Sequence, residues 1–509
     1  MYSFMSKIFI GIIFTLGILN FLDAQQMGFC GTEDQHLIIE RLQENRANFK
    51  DKLQARTGNT QYVPVIYHMV ADNAGNDRVD FRDVMEMHCF LNQFYDSLDI
   101  QFYIAELNMI DNSSIHTDPR SPNGQVRIRL ARKNTGMNIF LVKTIGGSQT
   151  GGGITLGYYS PADDYLVVQQ NQVNGYSSTL AHEVGHFFTL AHTFYGWEAT
   201  TYDPTKPTPK TVSLGSVLVN VEYVDRSKNC HNAADNFCDT PPDYLLGFQN
   251  PGGGCSPYTG PAKDPDGVPV DPQENNLMSY FERCVFYVLS QEQQNAIHAD
   301  LQSVRRSFLR RGWTPPAESI TDDVNYLSPS NQERLQVYVN IPLDWEDVPG
   351  ATKYLVEVDR VNSFSSEVQT FVTEESYIEV PELRKNFNYF WRVRPFNDYT
   401  TCTVARFQTF RTGDQTVSVN NVSGLDHWTI QPNPVPSGQF HAVLQTSEPI
   451  DGMISVFDLQ GREIWKNSLN LTPGEHRIPV QLEISSSGIY FVRIATQTGI
   501  NTRKLVIQP

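Results

Sequence analysis

The chain has 509 residues, enough for three or four domains. Its 56 acidic residues outnumber 39 basic ones, a formal net charge of −17, and no clustered basic patch offsets this, so no nucleic-acid partner is expected. An acidic surface of this kind suits a soluble exported protein and supplies carboxylates for calcium.

At the N-terminus Lys7 precedes an apolar run from Ile8 to Leu22, and Leu22-Asp23-Ala24 offers a small residue at a cut. Residues 1–24 read as a signal peptide. The run is short for a bilayer span, and no later segment is long and apolar enough, so no transmembrane span is expected in the mature chain. Residues 25–58 follow as a polar, helix-prone segment, LIIERLQENRANFKDKL, closed by the loop ARTGNTQ.

VPVIYHMV (Val63 to Val70) reads as a strand. Asp83 to Leu98 reads as a helix, with Val84, Met87, Leu91, Phe94 and Leu98 at a 3-4-3-4 spacing. Further strands are expected at Val126 to Leu130, Met137 to Thr144 and Tyr165 to Gln169. The glycine-rich stretch from Gly146 to Pro161 lacks the Gly-Lys-Ser/Thr ending of a phosphate loop and reads as the rim of a cleft.

Next comes HEVGHFFTLAH, His182 to His192, with Ser177 or Ser178 placed to cap its helix. Residues four apart share a helix face, so His182 and His186 can bind one metal from adjacent turns. Glu183 can reach a water on that metal and act as general base. If the helix continued, His192 would lie roughly 9 Å along the axis from His186. The chain must therefore turn for His192 to become a third ligand. HExxH by itself also fits an ordinary amphipathic helix with surface histidines; the third histidine argues against that. This spacing resembles the metzincin signature HExxHxxGxxH, with Thr189 where that family has glycine. A β-branched residue with positive φ costs about 1–2 kcal/mol.

From Trp197 to Glu274 the chain is rich in Pro, Gly, Asn and Asp, and a long irregular region needs staples. Cys230, Cys238, Cys255 and Cys284 are the obvious ones: two disulfides, with three possible pairings. Calcium is a second candidate, since Asp235, Asp239, Asp243, Asp264 and Asp266 are hard oxygen ligands. NLMSY (Asn276 to Tyr280) resembles the Met-turn of metzincins. That likeness puts Met278 beneath a zinc ion as an apolar floor and aims the Tyr280 phenol at the reacting centre. Leu289 to Arg311 reads as a helix closing the domain.

The longer stretch HEVGHFFTLAHTF, together with NCHNAADNFCDTPPDY (Asn229 to Tyr244), is similar to the pappalysin family (peptidase family M43, cytophagalysin-like members) from about Tyr62 to Trp313. The resemblance implies a zinc metalloendopeptidase acting on protein or peptide substrates. Its zinc ligands would be His182, His186 and His192, with Glu183 and Tyr280 catalytic. It also implies crossed disulfides, Cys230 with Cys255 and Cys238 with Cys284. FCGTEDQ resembles a cysteine switch, in which Cys30 takes the fourth zinc position and keeps a zymogen silent; an unpaired Cys30, or one bridged to Cys89, is the plain alternative. Cleavage near Arg56 would then release the enzyme.

After the linker TPPAES the period changes to two. LDWEDVPGATKYLVEVD and NYFWRVRPFN resemble a fibronectin type III-like sandwich with Trp345, Tyr354, Tyr389 and Trp391 in its core. From Trp428 the chain reads as a second small sandwich. Pro432-Asn433-Pro434, Asp458, Gly461, Gly488 and Tyr490 resemble the C-terminal sorting domain of the type IX secretion system of Bacteroidetes-like bacteria, which implies that machinery as a partner and a secreted or cell-surface location. The expected architecture is multidomain: an α/β metzincin zinc-protease domain (a mixed twisted sheet plus an active-site helix) at 59–313, then all-β sandwiches at 320–413 and 426–509, with 25–58 a pro-segment. The competing reading is an exported zinc-binding adhesin or inactive protease homologue.

Overall fold

The computed structural model describes residues 28–49, 60–146, 154–310, 320, 324–403, 405–415, 422–436, 438–459, 462–482, 488–496 and 499–508. The signal peptide, the loop around Arg56 and the TPPAES linker lie outside these residues. The chain divides into two compact units, one of residues 1–319 with 396–402, the other of 320–395 with 403–509. Among the described residues no helix is long and apolar enough to cross a membrane.

The first unit is built on a six-stranded sheet. Its elements in chain order are β1 (Gly28–Cys30), α1 (Gln35–Phe49), β2 (Gln61–Ala71), α2 (Phe81–Tyr95), β3 (Ile100–Asp111), α3 (Ser113–Thr117), α4 (Pro122–Ala131), β4 (Met137–Val142), β5 (Ile154–Ser160), β6 (Tyr165–Gln169) and α5 (Thr179–Phe187). Strand order is β1-β5-β6-β4-β2-β3. β6, β4, β2 and β3 run parallel, with α2 between β2 and β3 and α3–α4 between β3 and β4, while β5 lies between β4 and β6 in the chain and antiparallel to β6. β2 and β4 are buried along nearly their whole length, as near-continuous apolar runs in a parallel sheet covered on both faces must be. α2 buries Val84, Met87 and Leu91, with Tyr95 taking the core place expected of Phe94.

Residues 126–130 are helical and belong to α4, where a strand is expected. Ser121 accepts a hydrogen bond from Gly124 N and Pro122 occupies the first turn. This start signal outweighs the strand-like alternation of VRIRL. At the rim, Ile154–Ser160 is a paired strand; residues 147–153 lie outside the description.

The stretch after α5 carries two short paired strands, β7 (Thr211–Leu214) and β8 (Val217–Asn220), and one helical turn, α6 (Arg226–Asn229). It leads to α7 (Gln291–Gln302), which starts on a capping box of Ser290 and Gln293. This helix is shorter than the expected span from Leu289 to Arg311, because the chain turns at Ser303 and resumes as a 3₁₀ turn at Ser307–Arg310. Between them Arg306 is fully buried. Its guanidinium bonds Asp300 and Asp164, both at 2.8 Å, donates to the Phe187 carbonyl and lies 3.5 Å from the Phe187 ring centroid. One cation thus joins α7, the β5–β6 turn and the end of α5.

Six of the seven cysteines are paired. The crossed pairing is overturned: Cys230 bonds Cys238 and Cys255 bonds Cys284. The chain doubles back between Cys230 and Cys238 through left-handed residues Ala234 and Asn236. That brings their Cα atoms to 5.0 Å, while Cys255 and Cys284 lie 4.9 Å apart, both inside the window a disulfide needs. Cys89 bonds Cys402, which excludes a bridge from Cys89 to Cys30 and leaves Cys30 free.

The second unit is all β. Two sheets, ordered 333–334, 407–411, 388–396, 353–359, 369–373 and 377–382, 339–345, 326–328, enclose Trp345, Tyr354, Tyr389 and Trp391 in one core. A three-stranded and a four-stranded sheet follow, around Trp428, Phe440, Val456, Tyr490 and Leu505.

Candidate metal centre

α5 is a nine-residue helix, TLAHEVGHF, with every residue from Leu180 to Phe187 buried. Ser178 stands at its N-cap without a side-chain cap bond; Ser177 Oγ instead accepts from Thr179 N at 3.3 Å. The C-terminal end decides the site. Thr189 N donates to His186 O and Leu190 N to Gly185 O, the pair of bonds that defines a Schellman turn. Its pivot, Thr189, has φ 71°. The turn is therefore kept without glycine, and the chain folds back so that His192 faces the helix.

The three histidines converge. His192 Nε2 lies 3.3 Å from His182 Nε2 and 3.2 Å from His186 Nε2. Two nitrogens bound roughly 2.0–2.1 Å from one tetrahedral centre sit about 3.4 Å apart, so the spacing fits zinc. The far ring nitrogens are fixed: His182 Nδ1 and His186 Nδ1 each donate, at 2.7 Å, to the carbonyls of Leu277 and Leu190, which leaves both Nε2 atoms as lone-pair donors. Burial lowers the pKa of His182 to about 4 and pushes His186 and His192 well below their ordinary value, with the neighbouring rings adding to the effect for the latter two. Neutral imidazoles are the form a metal binds.

A cysteine closes the cluster. Cys30 Sγ lies 3.3 Å from His186 Nε2, and with the three histidines it forms a four-residue group able to hold a metal ion. Cys30 is placed there because β1 adds to the edge of the sheet, parallel to β5. Cys30 Sγ is also 3.4 Å from Glu183 Oε2, which accepts from Thr32 Oγ1 at 3.1 Å. Burial raises Glu183 to about 8 against the hydrogen bonds it accepts, and burial together with the Glu183 charge raises the Cys30 thiol.

Met278 is fully buried, and its sulfur packs so closely on Gly185 that a Cβ there would meet it at 2.6 Å. A side chain at Gly185 would therefore have to displace the Met278 thioether. Tyr280 OH accepts from Cys30 N at 2.8 Å and donates to Cys30 O at 3.1 Å; its ring centroid is 5.0 Å from that of His192.

Several neighbours lie in or beside the motifs with no role of their own expected from the sequence. Thr32, within FCGTEDQ, is one. Gln35, on α1, accepts from His192 N at 3.0 Å and donates to Glu198 Oε1 at 3.0 Å. Glu198, raised to about 7 by burial, stands 3.2 Å from His192 Nδ1. Phe194 stacks on His192 at 4.5 Å.

The structure gives no support to calcium at the expected aspartates. Among the described residues no three of Asp235, Asp239, Asp243, Asp264 and Asp266 converge on one point. Their oxygens hold local structure instead. Asp239 takes Ser290 Oγ and Glu292 N at the start of α7, Asp243 takes Thr193, Ser279 and Leu246, and Asp264 takes three backbone N–H groups. Asp235 takes Phe237 N and Thr240, and Asp266 pairs with Lys228.

Comparison with known proteins adds two matches. Residues 155–244 match the family model Peptidase_M43, described as pregnancy-associated plasma protein-A, and residues 429–508 match the model of a secretion system C-terminal sorting domain. No curated protein matches the chain at a significant level. Similar solved structures include the BSP domain of a biofilm-associated protein (12% identity, 36% of this chain and 29% of that one, TM-score 0.19). Others are the FN1–FN3 domains of chicken CNTN1 (9% identity, 37% and 64%, TM-score 0.15) and the fn3 domain of human collagen alpha-1(XX) (20% identity, 21% and 92%, TM-score 0.14). The chain spans less than two thirds of the first two. The three-histidine cluster thus lies inside a segment that matches the M43 peptidases, and the C-terminal match assigns the chain to type IX secretion, outside or on the surface of a Bacteroidetes-like bacterium.

Proposed function

We propose that this chain is a secreted zinc-dependent endopeptidase made as a zymogen. The observation that carries the reading is the convergence of His182, His186 and His192 beside Glu183, with Cys30 in the fourth position. The M43 match and the sorting domain support it.

His182, His186 and His192 would hold zinc through Nε2. Zinc held there would supply a water of lowered pKa and a Lewis acid for the substrate carbonyl. Glu183 Oε2 accepts the proton of the attacking water and passes it to the leaving amine. The Tyr280 hydroxyl, released from the Cys30 backbone, donates to the developing oxyanion. Substrate pairs along β5 once β1 has left that edge, so backbone hydrogen bonds supply affinity. In the latent form Cys30 and Thr32 occupy Glu183, Gln35 holds His192, and the strand that substrate would use is already paired. Residues 25–58 then act as the pro-segment, and a cut near Arg56 starts their removal.

The test compares wild type with Glu183→Ala, His192→Ala and Cys30→Ser for zinc content and casein cleavage. Glu183→Ala should keep zinc and lose turnover; His192→Ala should lose both. Cys30→Ser should shorten the lag before casein cleavage. Full activity in Glu183→Ala would sink the endopeptidase reading, and bound zinc without turnover after pro-segment removal would favour the inactive-homologue reading. An unchanged lag in Cys30→Ser would remove the switch alone.

A further inference from the structure

The residue before Cys30 is an aromatic one, and it does not point to solvent. The Phe29 ring meets Phe248 edge to face at 5.1 Å and lies 6.3 Å from the Tyr280 ring. Phe248 is itself 5.5 Å from Tyr280, which is 4.6 Å from Phe194, which stacks on His192. An unbroken aromatic wall therefore runs from a metal-facing histidine to the Phe29 ring. The wall is built in. Gly247 packs so tightly on Tyr280 that a Cβ would meet the Tyr280 carbonyl oxygen at 2.3 Å, which fixes the 3₁₀ turn Leu246–Gln249 and the ring it carries. Phe248 is half-buried with Phe29 in place, so removing β1 opens a slot with aromatic walls one residue from the metal position.

We propose that this slot is the enzyme's selectivity subsite and that it takes an aromatic side chain adjacent to the bond cut. The inference rests on the endopeptidase reading, and it names the substrate class: polypeptides with Phe, Tyr or Trp beside the scissile bond. The slot walls offer ring faces and edges, which suit a flat apolar ring. The carboxylates nearest the wall, Glu183 and Glu198, lie at its metal end, where Thr32 and Gln35 donate to them. Phe29 holds the slot in the latent form as the substrate ring does in the active one.

The test uses the full chain after proteolytic activation. A quenched-fluorescence peptide series varies the residues flanking the cut through Phe, Tyr, Leu, Arg, Glu and Ala, with casein as a general substrate. Phe and Tyr peptides should exceed Ala, Arg and Glu peptides in kcat/KM by at least about tenfold. Phe248→Ala should bring the aromatic-to-alanine ratio towards one. In the latent chain, Phe29→Ala should speed trypsin cleavage of the N-terminal segment by about tenfold. A flat profile, or one favouring Arg or Glu while casein is still cut, overturns the slot and leaves the endopeptidase reading standing. If zinc-loaded wild type cuts neither casein nor any peptide, the endopeptidase reading falls and the slot with it.

Discussion

At Thr189 the backbone carries a positive φ on a β-branched, fully buried residue. Glycine there would relieve about 1–2 kcal/mol. It would also add about 0.5–1 kcal/mol of unfolded-chain entropy and lose the packing of a buried side chain. Thr189→Gly should therefore change stability in urea by less than about 1 kcal/mol, with zinc content retained. A loss of several kcal/mol would show that the threonine side chain itself holds His192 in place. Tyr280→Phe removes a donor and keeps the ring in the aromatic wall. It should cost roughly 10²–10³ in kcat, with zinc content and aromatic preference unchanged; an equal fall for every substrate separates the hydroxyl from the wall. The ligand histidines and Glu183 were legible, but helix periodicity pairs only His182 with His186; His192 lies past the end of α5 and Glu183 is adjacent to His182, so both came from the motif's spacing. The contacts of Thr32 and Gln35 were not legible, although both lie in FCGTEDQ: they depend on how β1 and α1 dock, a long-range event that leaves no local periodicity, and Glu198 sits in the irregular stretch after α5.

Elements were legible where burial forces a pattern. β2, β4, β6 and α2 follow from continuous apolar runs or a single apolar stripe. α4 was misread because a short alternating run fits helix and strand alike, and only the Ser121-Pro122 start distinguishes them. The Cys230–Cys238 and Cys255–Cys284 bonds depend on turn geometry, which cysteine spacing does not encode. The joint of α5, α7 and the β5–β6 turn rests on Arg306. Removing one partner of a buried ion pair strands the other charges, so Arg306→Met should cost about 3–5 kcal/mol, read by chemical denaturation. Burial alone would raise Asp164, but Arg306 and Arg305 hold it at about 2. Its folded pKa is thus below the unfolded value of about 3.9. The stabilisation is complete above that value and is lost as pH falls through about 2. Roughly 2 kcal/mol should disappear across that window, and in Arg306→Met this acid-dependent loss should be much smaller.

For the molecule as a whole, the C-terminal sandwich is an address more than a part of the chemistry. Removing residues 426–509 should leave the protein inside the producing cell's envelope, with the casein-cleaving activity of lysed cells retained; release into the medium at the normal level would contradict the type IX assignment. The pairing of the cysteines also sets an order of events during export. The bonds of Cys230 and Cys255 span 8 and 29 residues, whereas Cys89 must wait for a partner 313 residues away. In the complete chain Cys30 is the cysteine left free, held at the Tyr280 hydroxyl through its backbone N and O. A chain ended before residue 402 should show two alkylatable thiols after denaturation, and the complete chain one.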